Sequence, residues 1–146
     1  MKIENHITIQ ATPELVWEVF TDDSKIDKWL TGFKQSKTIS GEPLQVGSKH
    51  EMTFLERGKE MTFLETVTQV VPAQEYSFNL SNDMMTSKNK VSLKAKNGAT
   101  ELCQIVDFKA QSFGFKLMMF FMKGAMKKRN QSDLERLKHL IENTRI

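Results

Sequence analysis

Two ionisable residues, His50 and Glu65, are the sharpest candidates for chemistry in this sequence. The strand pairing derived below places them directly opposite each other on one face of a sheet, where cross-strand neighbours are close enough to hydrogen-bond. A carboxylate beside an imidazole can serve as a general base, so one interpretation is proton transfer inside a pocket. The other interpretation is a solvated pair at the rim of a hairpin, which would contribute little to the stability of the fold.

A repeated hexapeptide determines that pairing. Residues 51–56 and 60–65 are both EMTFLE, separated by three residues. A two-residue turn at Arg57-Gly58 puts the methionine and phenylalanine of both copies on one face, whereas a three-residue loop would oppose apolar and polar residues. We therefore predict the two-residue turn and an inward apolar set of Met52, Phe54, Met61 and Phe63.

A second hairpin is predicted at Asn97-Gly98, a strong type I′ turn signal. Its register pairs Leu93 with Leu102 and Val91 with Gln104, and Phe108 continues the same face. Gln104 thus points inward, where it either orients a polar group of a ligand or is a structural amide. Cys103 points outward, and we expect it to be an inert small residue.

Residues 113–126 form an unusual section of the predicted C-terminal helix, rich in methionine and phenylalanine. Their apolar side chains form two stripes, whereas a helix that only covers a sheet needs one. The second stripe is either core or dimer contact, or it contacts a ligand, a partner or a membrane. Methionine adapts to varied apolar shapes, which favours a pocket wall. The predicted ligand-binding residues are Trp29, Met52, Phe54, Met61, Phe63, Phe78, Leu93, Gln104, Phe108, Met118, Met122 and Met126.

Length and composition indicate an ordinary globular domain over residues 1–146. The chain is 39% hydrophobic and 27% charged, and no apolar run approaches the ~20 residues that span a bilayer. Cys103 is the only cysteine, so an intramolecular disulfide and a multi-cysteine zinc site are excluded, and a cytoplasmic location is the default. The sequence also lacks a metal-spaced histidine pair, a Gly-rich phosphate loop and a Ser/His/Asp signature. We expect no metal and no cofactor.

The distribution of charged residues indicates which classes of binding partner to expect. A net charge of +3 without a focused basic patch predicts no nucleic-acid partner. The basic run at residues 127–129 follows the Met/Phe section, and together they could form an interfacial membrane helix. A solvated helix face is the preferred interpretation of that run. A homodimer through the second stripe stays open.

The predicted order of elements is strand, two short helices, six strands and a long helix, an α+β arrangement. Thr12, Pro13 and Glu14 are typical of a helix start, and Asp22 of a second one. Alternating isoleucines near the N-terminus predict the first strand. The remaining strands are predicted at 33–39, 48–56, 59–71, 75–81, 88–96 and 100–110, and the long helix at about 114–143. We expect that helix to cover the apolar face of the sheet.

The chain resembles the START-like, helix-grip (SRPBCC) superfamily, especially its polyketide cyclase/dehydrase and lipid-transport branch. The similarity is carried by ATPELVW at residues 11–17, by the spacing from Asp22 to Trp29, by Val46-Gly47 and by LERLK at residues 134–138. The resemblance implies a curved seven-stranded antiparallel sheet that grips a long helix, with a cavity between them and Trp29 at its mouth. Members bind lipids, hormones and polyketides, and a minority catalyse cyclisation or dehydration.

Three functions follow as hypotheses. The first is binding of a small apolar or amphipathic molecule, lipid- or polyketide-like, in the cavity between sheet and helix. The second is a cyclase or dehydratase in which His50 and Glu65 move a proton in the same pocket. The third is a protein-partner module or obligate dimer that uses the extra helix stripe.

Overall fold

The computed structural model describes residues 1–144, which form seven strands, two α-helices and one 3₁₀ helix. The predicted order of elements is confirmed, and most predicted bounds agree within one or two residues. The elements are β1 Lys2–Ile9, α1 Pro13–Phe20, the 3₁₀ helix Asp23–Lys28, β2 Phe33–Ser40, β3 Lys49–Glu56, β4 Lys59–Val71, β5 Glu75–Ser81, β6 Met85–Lys96, β7 Ala99–Ala110 and α2 Phe113–Thr144.

One antiparallel sheet contains all seven strands in the order β1-β7-β6-β5-β4-β3-β2. The curved sheet and long C-terminal helix are the α+β helix-grip fold that the sequence predicted. Both predicted hairpin registers are confirmed: His50 lies opposite Glu65, and Val91 lies opposite Gln104. The two turns have positive φ at both central residues, as type I′ requires.

Side-chain caps start the two helices that follow β1. Thr12 Oγ1 accepts a hydrogen bond of 3.3 Å from the Leu15 N–H, and Pro13 takes the first helical position. Asp22 Oδ1 accepts a bond of 3.0 Å from the Ser24 N–H. The second predicted helix is a 3₁₀ helix of six residues, a tighter form common in short connectors.

The core lies where the C-terminal half of α2 crosses the β1 and β7 side of the sheet. Leu134, Leu137 and Ile141 of α2 are buried against Ile9 and Leu102. Their spacing of three and four residues places them on one helical face. This half of α2 covers the sheet as the sequence predicted.

The front half of α2, residues 113–126, behaves differently. Met119 is its one fully buried side chain, with Phe115 and Met126 half-buried. The expectation that the whole helix covers the sheet is therefore wrong for this half, and burial of both stripes in the core is excluded. The physical reason is where the helix lies: α2 contacts the sheet mainly through β1 and β7, at one edge of the sheet.

Polar contacts attach α2 to the segment after the 3₁₀ helix. Arg136 Nε donates to the Trp29 carbonyl at 3.2 Å, and Arg129 Nη2 donates to the Thr31 carbonyl at 3.1 Å. The buried Asp133 carboxylate accepts from the Thr31 N–H at 3.2 Å and pairs with Arg136. These bonds hold the Trp29–Leu30–Thr31 backbone against α2.

The two halves of α2 predict unequal costs for the same substitution. Leu137→Ala should lower the free energy of unfolding by about 2–5 kcal/mol, because Leu137 is fully buried. The matched control Leu117→Ala should change it by about 0.5 kcal/mol or less, because Leu117 is exposed. Urea denaturation measures both, and equal losses would contradict this account of the helix.

Candidate functional site

A cavity of about 170 Å³ lies between the concave face of the sheet, the end of α1, the 3₁₀ helix and the loop that precedes β3. No described residue of α2 lines it. Sheet residues from β2 to β7 form its floor, and Pro43 and Leu44 of the loop also line it. Six residues predicted from the sequence line it: Trp29, His50, Met52, Glu65, Phe78 and Gln104.

Aromatic rings make up one wall of the cavity. Phe20 lies 5.7 Å from Trp29 and 5.9 Å from Tyr76, measured between ring centroids, and Tyr76 lies 5.3 Å from Phe78. Such pairs add to the stability gained from burying apolar area. The wall suits a flat, apolar ligand.

Glu65 is a carboxyl group inside this aromatic and apolar surrounding. Its residue is only 7% exposed, and its Oε1 accepts a hydrogen bond of 3.4 Å from the Tyr76 hydroxyl. Burial raises the pKa of Glu65 to about 7; the Tyr76 bond opposes that rise and the negative charge of Asp23 adds to it. Glu65 therefore exists in both protonation states near neutral pH.

Tyr76 is the residue in direct contact with that carboxyl. Burial, and then the charge of Glu65, raise the pKa of the Tyr76 hydroxyl. Tyr76 consequently stays protonated and acts as a hydrogen-bond donor. Sequence reasoning missed Tyr76, although it precedes Phe78 by two residues and therefore shares its face of β5.

His50 does not make the hydrogen bond to Glu65 that the strand register suggested. The buried ring lies with Nδ1 3.3 Å from Thr38 Oγ1 and Nε2 3.2 Å from Ser48 Oγ. Both ring nitrogens are therefore occupied by hydroxyl partners. The structure brings His50 and Glu65 to one cavity, but it joins Glu65 to Tyr76 and His50 to two hydroxyl groups.

Two further polar atoms in the lining residues have no hydrogen-bond partner among residues 1–144. They are the indole Nε1 of Trp29, a donor, and the amide Oε1 of Gln104, an acceptor, and both atoms are buried. Buried polar groups in folded proteins are nearly always paired. Because both residues line the cavity, their unpaired atoms are candidates for ligand contact.

The remaining predicted ligand-binding residues lie outside the lining of this cavity. Phe54 and Phe63 form a ring cluster with Phe33, with centroids 5.9 Å apart, and Leu93 packs in the core. Met61, Phe108 and Met126 are half-buried, and Met118 and Met122 are exposed.

On the opposite face of the sheet, Glu4, His6 and Cys103 place their side-chain ligand atoms within 4.8 Å of one another. Sequence reasoning missed this cluster, because only the pairing of β1 with β7 puts His6 beside Cys103. His6 Nε2 already bonds Glu4 at 2.6 Å, and both side chains are exposed. Burial raises the pKa of the Cys103 thiol, which favours the inert form. We assign no metal to this cluster.

Comparison with known proteins identifies the family of this chain. The sequence profile of the family described as "Polyketide cyclase / dehydrase and lipid transport" matches residues 1–142. The chain therefore belongs to this family, within the START-like helix-grip superfamily. Among curated proteins, none matches the chain.

Solved structures share this fold at low sequence identity. The Zhui aromatase/cyclase from a Streptomyces species has a TM-score of 0.81 and 14% identity, over 97% of this chain and 93% of its own. A conserved protein from Geobacillus kaustophilus also has a TM-score of 0.81 and 14% identity, over 99% and 97%. A protein from Chromobacterium violaceum has a TM-score of 0.76 and 21% identity, over 97% and 96%. At these identities the similarity establishes the fold alone.

The pKa of Glu65 predicts a dependence of stability on pH. Its value of about 7, against an ordinary 4.5, means that the native state keeps a proton which the unfolded state releases between those pH values. The protein therefore loses stability as the pH rises through that window. Glu65→Gln removes this loss, so its stability relative to the natural protein should grow by up to about 3 kcal/mol from about pH 5 to about pH 8.

Urea denaturation of both proteins at the two pH values measures that growth. If the difference in free energy of unfolding between Glu65→Gln and the natural protein stays constant with pH, Glu65 is not a buried group that retains its proton in the native state.

Proposed function

We propose that the protein binds a small, largely aromatic or apolar molecule that carries a hydrogen-bond donor and acceptor. The observation that carries this proposal is the pair of unpartnered buried atoms, Trp29 Nε1 and Gln104 Oε1, in two residues that line an aromatic-walled cavity. A ligand acceptor would pair with the indole N–H, and a ligand donor with the amide oxygen. A phenolic hydroxyl is a small group that supplies both.

The cavity volume limits the size of the ligand. A dry protein cavity of about 150 Å³ holds one benzene ring, so 170 Å³ corresponds to a molecule of one or two rings. A longer lipid- or polyketide-like ligand would have to extend out of the cavity, for which we propose the side of Leu44, a lining residue that is exposed and has a positive φ. Apolar burial at about 25 cal/mol per Å² would supply affinity, less the cost of association.

We place this function in the cytoplasm, because the lone cysteine suits a reducing compartment.

A matched pair of ligands tests the proposal. 2-Naphthol and naphthalene differ by one hydroxyl, and we expect 2-naphthol to bind about tenfold more tightly, because it satisfies the unpartnered atoms. Fluorescence titration of each ligand measures both dissociation constants. Equal affinities would show that the polar atoms are not ligand contacts.

Gln104→Leu should remove that difference. It should also raise the free energy of unfolding of the free protein by about 1–3 kcal/mol, because it deletes a buried acceptor without a partner. The control Gln69→Leu alters an exposed glutamine of β4 and should preserve the preference for 2-naphthol. A variant at Gln104 that gains no stability and keeps the preference would contradict the proposal.

Proton-transfer catalysis is the second candidate function, as in a cyclase or dehydratase. The observation that favours it is a buried carboxyl, Glu65, with a pKa of about 7, which matches that of a general base working near neutral pH. We infer that Glu65 is the base and that Tyr76 is its hydrogen-bond donor. His50 would orient the polar side of the cavity through Thr38 and Ser48.

A small aromatic substrate whose ring opens when a base removes one proton, 5-nitrobenzisoxazole, tests this candidate without knowledge of the natural substrate. We expect its rate to rise with pH through about 7 and to vanish in Glu65→Gln. His50→Ala should retain most of the rate if Glu65 acts alone. Equal loss in both variants would favour the His50–Glu65 pair, and no rate above background would exclude an accessible base.

A further inference from the structure

We propose that the front half of α2, residues 113–126, with the exposed Lys127 and Lys128 that follow it, docks on the surface of an anionic lipid bilayer. This function is separate from the ligand cavity, since no described residue of α2 lines that cavity. The proposal rests on exposure, on the arrangement of charge and on the shape of the surface.

The exposure of large apolar side chains is concentrated in this helix segment. Phe113 is 81% exposed, Phe121 76% and Phe120 68%. Leu117, Met118 and Met122 are also exposed. Contiguous apolar surface of this kind marks an interaction site in a folded protein. The described part of the chain supplies no cover for it.

Lysines border the apolar surface on the same helix. Lys116, Lys123 and Lys127 recur at spacings of seven and four residues, which places them on one stripe, and all three are exposed. No aspartate or glutamate occurs between residues 108 and 132. The surface is therefore apolar along one side and positive along another, as in helices that lie in a membrane interface.

These charges identify the occupant. A second copy of the chain would bring the same positive stripe against itself, so a symmetric dimer is disfavoured electrostatically. A peptide would need a groove to provide its complementary shape, whereas the exposed rings lie around a convex helix. An anionic bilayer supplies negative charge and a deformable apolar layer together. The helix would lie along the surface, since no helix among residues 1–144 is long and apolar enough to cross a membrane.

Flotation with vesicles tests the electrostatic part. The protein should float with vesicles of phosphatidylcholine mixed with phosphatidylglycerol, much less with phosphatidylcholine alone, and binding should fall at high salt. The double variant Lys116→Gln/Lys123→Gln should lower the partition coefficient about 25-fold, at about fivefold per lysine. The control Lys88→Gln/Lys94→Gln changes net charge equally at exposed positions of β6 and should have little effect. Equal losses in both double variants would overturn the proposal.

A second pair of variants tests the apolar part. Phe120→Ser/Phe121→Ser should lower partitioning at least about tenfold, because both rings leave the apolar layer. The control Ile39→Ser/Leu55→Ser replaces exposed apolar residues on the sheet and should bind like the natural protein. Unchanged binding by Phe120→Ser/Phe121→Ser would overturn the proposal.

Sedimentation equilibrium without lipid tests the alternative that a second copy of the chain covers this surface. A monomer supports the proposal. A dimer that dissociates in Phe120→Ser/Phe121→Ser would show that a second copy covers this surface and would overturn it.

Discussion

The apolar concave face of the sheet has to be covered, and the rest of the structure depends on how two different elements divide that task. The C-terminal half of α2 covers the β1 and β7 side, where Leu134, Leu137 and Ile141 complete the core. The 3₁₀ helix and the segment through Trp29 and Leu30 cover the other side incompletely, and the cavity is the space that remains.

Polar bonds between these two covers connect the stability of the fold to the shape of the site. Arg136 and Arg129 donate to the carbonyls of Trp29 and Thr31, and the buried Asp133 accepts from Thr31. The indole of Trp29 is consequently held at the cavity while its N–H has no partner among the described residues. The residues that line the cavity thus carry an unsatisfied donor, an unsatisfied acceptor and a carboxyl of raised pKa. These groups lower the stability of the free protein, and a bound ligand would offset that cost.

Sequence reasoning predicted the backbone of this site because local rules determine it. The repeated hexapeptide and the Asn97-Gly98 turn each allow one register that keeps apolar residues on one face, and that register puts His50 opposite Glu65. It could not predict side-chain torsions. The His50 ring turns toward Thr38 and Ser48, and the carboxyl of Glu65 meets Tyr76 from the neighbouring strand instead. The front half of α2 shows the same limit, because helical spacing identifies which residues share a stripe but not what covers that stripe.

The central claim is that the unpartnered polar atoms of the cavity are ligand contacts. The chain has two tryptophans, so a proton–nitrogen NMR spectrum contains two indole N–H resonances, and Trp17, which does not line the cavity, serves as an internal reference. On titration with 2-naphthol, the Trp29 resonance should move downfield as its N–H gains an acceptor, and the Trp17 resonance should move much less. Saturable binding of 2-naphthol that leaves the Trp29 resonance in place would contradict the claim.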